Sequence, residues 1–77
     1  MDKYDNRYIQ IGLKIAYYRK KNDITLEELA EKINLSVNSL SQIETPNVVQ
    51  PISLKTLFTI ADVFHISPAK FLEFDDK

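Results

Sequence analysis

The feature that most constrains this chain is a pair of closely spaced helix-starting signals, Thr25 and Ser36, each followed by an apolar stripe of helical period. Thr25 and Glu28 form a T-x-x-E capping box, in which the hydroxyl satisfies an orphan N–H of the first turn and the carboxylate reaches back to the cap. A helix therefore starts at about residue 26. Leu26, Leu29, Ala30 and Ile33 repeat at i, i+3, i+4, i+7 and give it one apolar face, with Glu28, Glu31 and Lys32 away from its centre. Asn34 tolerates positive φ and turns the chain. Ser36 caps the next helix, whose buried stripe is Leu40 and Ile43 and which runs to about Glu44.

Two short helices around a tight corner at about residues 25–44 make a helix-turn-helix. On a 100° wheel, the side of the second helix opposite Leu40 and Ile43 carries Asn38, Ser41, Gln42 and Thr45. Asn and Gln present a donor beside an acceptor, which matches N6 and N7 of adenine, and Ser serves as either. A solvated helix with no partner more often carries Lys, Glu and Arg there, because Asn and Ser are weak helix formers. The face has the chemistry of major-groove readout.

Seventy-seven residues make one domain, expected to span 1–77 with flexible ends at about 1–7 and 75–77. With no Cys and a single His there are no disulfides and no metal constellation, so no metal or cofactor is expected. No apolar run approaches membrane-spanning length and MDKYDNRY is not signal-like, which points to a cytoplasmic protein without membrane or small-molecule substrate. No nucleophile with its base and no phosphate-cradling glycine loop is visible, so an enzyme is not expected. The net charge of −1 runs against the basic character of most DNA-binding domains. Its distribution is uneven: residues 1–22 hold six Lys or Arg against two Asp, and residues 23–44 hold one Lys against five carboxylates.

The rest of the chain reads as all-α. Asp5 is expected to cap a first helix with the stripe Tyr8, Ile11, Ile15 and Tyr18, ending near Asn22 and Asp23, with Gly12 at a close-packing site. Pro46 and Pro51 make TPNVVQPI a loop. Ser53 caps a fourth helix with Leu54, Leu57, Phe58, Ala61 and Phe64 on one side; His65 and Ile66 end it. Ser67 and Pro68 open a short fifth helix through Phe71, Leu72 and Phe74.

From Ile11 to Leu72 the segments IGLKIAYYRKK, ITLEELAEKINLSVNSLSQIE and SLKTLFTIADVFHIS resemble, in order and spacing, the Cro/cI-type (Xre-like) helix-turn-helix domain. The resemblance implies a compact five-helix bundle of lambda-repressor-like type whose third helix, about 36–45, reads an operator half-site. It also implies a cytoplasmic homodimer, a pseudo-palindromic double-stranded operator and a role in transcription regulation, most simply as a repressor. Carried over by position, base reading falls to Val37, Asn38, Ser41 and Gln42, and phosphate contact to Thr25, Ser39, Thr45 and Asn47. Val37 either touches a thymine methyl or packs beside Leu40. Arg19 and Glu44 correspond to a structural ion pair joining the first helix to the end of the third. Val48, Val49, Pro51, Ile52, Pro68, Lys70 and Phe74 fall where the family dimerises; alternatively the valines tuck into the core.

The chain departs from the family at Leu26, where Gln is common, and after Glu44, where Gly and basic residues are replaced by Thr45, Pro46, Asn47, Val48 and Val49. These departures support a rival from another class, a protein-interaction module such as an antitoxin or anti-repressor partner with weak or no DNA binding. A second regulatory protein is compatible with either reading.

Overall fold

A computed structural model describes residues 2–74. Four α-helices, α1 (Asp5–Lys21), α2 (Leu26–Lys32), α3 (Val37–Glu44) and α4 (Leu54–Phe64), are followed by a 3₁₀ segment, Pro68–Leu72. The fifth element is thus a 3₁₀ segment rather than an α-helix, and Phe74 lies beyond it. Pro68 follows the Ser67 cap, and the Lys70 N–H donates to the Ser67 carbonyl over three residues, the tighter spacing of a 3₁₀ turn.

Local chemistry accounts for most boundaries. The Thr25 hydroxyl accepts from the Glu28 N–H at 3.0 Å while the Glu28 carboxylate accepts from the Thr25 N–H at 2.9 Å, a complete capping box. Ser36 and Ser53 accept from the N–H groups of Ser39 and Thr56. Asp5 is not a cap: Tyr4 holds that position without a side-chain bond, and the Asp5 carboxylate instead accepts from the Asp2 N–H. Residues 5–7, expected to belong to a loose end, form the first turn of α1.

Three helices stop in the same way. After α1, α2 and α4 the chain enters the left-handed region at Asp23 (φ 56°), Asn34 (φ 56°) and His65 (φ 57°). The next N–H, of Ile24, Leu35 or Ile66, donates back to the carbonyl of Arg19, Ala30 or Ala61. That 6→1 bond satisfies carbonyls a helix end leaves orphaned. Ile24, Leu35 and Ile66 then pack against the core, so each corner is fixed by a bond and an apolar anchor.

The core gathers side chains from every element, with Ile15, Leu29, Leu40, Leu57, Ile60 and Phe71 the largest fully buried ones. Tyr18 packs against Phe64 and Phe71, as a core residue does. On α4 the buried arc is Leu57, Ile60, Ala61 and Phe64. Leu54 and Phe58, expected on that arc, are 62% and 48% exposed, because they sit on its shoulder where no neighbouring element reaches. Ile52 and Phe74, expected at a dimer surface, are partly buried against the core. Phe74 is held there by Arg7 and Lys14, whose cations lie 5.5 and 5.4 Å from its ring centre. Among the described residues, no helix is long and apolar enough to cross a membrane.

Candidate nucleic-acid interface

The rear of α3 is clamped in two places. Leu40 and Ile43 are buried, and Gly12 of α1 lies so close that a Cβ added there would run into the Ile43 carbonyl oxygen. Gly12 has ordinary helical geometry, so the residue is needed for proximity, not for backbone freedom. At the far end the Arg19 guanidinium grips Glu44 through Nε, 2.8 Å from Oε2, and Nη2, 2.9 Å from Oε1, while Nη1 donates to the Ile24 carbonyl. Arg19 and Glu44 are only 13% and 8% exposed. The hydrogen bond to Glu44 raises the Arg19 pKa above its already high ordinary value, against an opposing effect of burial, so Arg19 stays a cation at any ordinary pH. One side chain thus ties the end of α1, the α1–α2 corner and the end of α3 together.

The front of α3 is open. Val37, Asn38 and Gln42 are exposed, and Ser41 is half-buried. Asn38 and Gln42 lie four residues apart, side by side along the helix. Among the described residues neither amide has a hydrogen-bond partner. Val37 is 41% exposed. Thr45 lies just past α3, and its hydroxyl donates to the Ser41 carbonyl at 2.6 Å.

The expected phosphate positions are in part occupied by local structure. Thr25 is engaged in the capping box, where its backbone N–H is the main reason the Glu28 carboxyl titrates below its usual range. The Ser39 hydroxyl accepts from the Ser36 hydroxyl at 2.9 Å. Asn47 is exposed and left-handed, with φ 66°. Leu26 packs against the core instead of facing outward. At the expected dimer surface, Val48, Pro51 and Lys70 are exposed and Val49 and Pro68 half-buried.

The molecule's relatives agree with this geometry. The family model described as Helix-turn-helix matches residues 15–71. Among curated proteins none matches the sequence. Among solved structures, that of the master regulator for biofilm formation SinR in complex with DNA is 35% identical, with a TM-score of 0.74 over 82% of this chain and 98% of the other. The N-terminal DNA binding domain of SinR from Bacillus subtilis is 32% identical, with a TM-score of 0.77 over 90% of this chain and 99% of that one. Capped α2, left-handed corner, clamped and outward-facing α3 and the match across most of the chain lead to one conclusion: this protein belongs to the helix-turn-helix family of Cro/cI (Xre-like) type.

Proposed function

We propose that this chain is a sequence-specific, double-stranded DNA-binding transcription regulator, a repressor, that places α3 in the major groove of an operator half-site. The observation that carries the reading is the outward pair of unpartnered amides, Asn38 and Gln42, on a helix whose back is immobilised by Gly12, Arg19 and Glu44. An amide held at a fixed height and bearing can make the two-pronged contact with adenine that a loose surface amide cannot. Val37, exposed at the start of the helix, offers a methyl surface to a thymine, and Ser41 a shorter polar contact. The 35% identical SinR structure, solved in complex with DNA, supports the DNA-binding reading.

Selection of bound duplexes from a random pool tests the proposal. Asn38→Ala and Gln42→Ala should each lose about 1 to 3 kcal/mol on the selected duplex and relax preference at one base pair. An equal loss on every sequence, or no bound duplex at low salt, overturns base reading; in the second case a stoichiometric protein partner in a pull-down would favour the interaction-module reading.

A homodimer completes the proposal, because two copies related by a two-fold axis read a pseudo-palindrome. Exposed Val48 and Pro51, with half-buried Val49 and Pro68, supply its apolar patch, and Lys70 its rim. Sedimentation should show a dimer that Val48→Asp weakens; monomer alone at high concentration removes it.

A further inference from the structure

Between residues 22 and 69 the chain has only two Lys or Arg side chains, Lys32 and Lys55. They belong to different helices, the last turn of α2 and the first turn of α4, yet both line one surface hollow of about 380 Å³ together with Asn34, Leu35, Thr56 and Thr59. Both lysines are exposed, and no ion pair involving either is seen among the described residues. The Glu28 carboxylate, one turn back on α2, feels Lys32, but the capping box already holds it. Bringing two like charges to one hollow raises the energy of the free protein unless an anion shares it. Of the hydroxyls on its wall, Thr59 donates to the Lys55 carbonyl, whereas Thr56 accepts from Ser53 and has no acceptor of its own among the described residues.

We infer that the Lys32–Lys55 hollow seats a backbone phosphate of the duplex that α3 reads, supplying the cations that the loop after Glu44 lacks. This rests on the DNA-binding proposal and adds a phosphate-positioning site to it. Its place favours duplex over free phosphate, because Asn34 and Leu35 on its wall run directly into the Ser36 cap of α3, so an anion there lies beside the reading helix. The hollow at the α1–α2 corner, lined by Arg19, Lys20, Asp23, Ile24 and Thr25, is poorer: Arg19 is committed to Glu44, and the Asp23 carboxylate shares the lining with Lys20.

The test is the salt dependence of binding to the duplex selected above, for the unaltered protein, Lys32→Gln, Lys55→Gln, the double variant and a Lys3→Gln control. A phosphate contact contributes about 0.9 to the slope of log K against log salt. Each hollow variant should lower the slope by about 1 and the pair by about 2, with affinity reduced alike for all duplexes and base preference unchanged. Lys3→Gln should leave the slope as it was. An unchanged slope for the double variant overturns the inference even if DNA binding stands. Inorganic phosphate that shifts the amide resonances around Lys32 and Lys55 while the duplex slope stays unchanged reassigns the hollow to a free anion and overturns it too. No duplex binding by the unaltered protein would bring down the DNA reading and this site with it.

Discussion

Helices α3 and α4 begin alike and end in opposite roles. Each opens on a serine whose hydroxyl accepts the N–H three residues on and donates to the hydroxyl there, Ser36 to Ser39 at 2.9 Å and Ser53 to Thr56 at 3.0 Å. Their outer faces share no chemistry. That of α3 shows two unpartnered amides; that of α4 shows Leu54 and Phe58. The same starting device therefore says nothing about role. What separates the helices is the outward pair one turn apart and the way the back is held: α3 by a backbone approach and an ion pair, α4 by side-chain burial.

The largest effect should come from breaking the hold on α3. Gly12→Ala puts a methyl against the Ile43 carbonyl and should cost about 2 kcal/mol or more, read as a lower midpoint in chemical denaturation. Full stability in this variant would mean that α3 is as loosely held as its outer face suggests. Arg19→Ala leaves Glu44 nearly buried and unpaired, and about 3 kcal/mol should be lost at neutral pH. Glu44→Gln should be milder, since its amide oxygen can still accept from Arg19. A finer cut uses the twin caps: Ser36→Ala and Ser53→Ala should each cost about 1 kcal/mol in stability, but only the first should also weaken binding to a selected duplex. Equal effects of both on binding would erase the distinction between the helices.

The smallest effect is a pH dependence. Because Glu28 titrates lower in the folded chain than when free, its contribution is fully present above the ordinary carboxylate pKa of about 4.3 and fades as pH falls through the lowered value. Glu28→Gln should flatten this part of the acid limb in thermal melts while leaving stability at neutral pH little altered.

Most of the helix starts were legible because a cap is a contact between residues two or three apart. Thr25, Ser36, Ser53 and Ser67 could be found without knowing where any other element lies. The ends were half legible. Asn34 announced its corner, but Asp23 and His65 do the same job, and the recurring signal was the apolar residue that follows each: Ile24, Leu35, Ile66. The wheel placed the amides of α3 correctly and misjudged Leu54 and Phe58. Periodicity tells which side chains share a side, not how far the neighbouring elements extend over it. The fifth element tightens to 3₁₀ at its Ser67–Pro68 start, and the packing of Phe74 was not legible because Arg7 and Lys14, which lie over its ring, come from the other end of the chain. The Lys32–Lys55 hollow was invisible, because neither lysine stands out until the end of α2 and the start of α4 meet at one surface hollow.

The length of α3 sets how much information the molecule can extract. Its eight residues, at about 1.5 Å each, make a helix about 12 Å long, the span of three or four base pairs at about 3.4 Å per step. A four-letter word recurs by chance about once in 256 positions, hence on the order of 10⁴ times in a chromosome of a few million base pairs. One reading head of this size cannot pick out a unique address. In the homodimer proposed above, the remaining letters come from the second copy at a set spacing and from the stiffness of the DNA between the two.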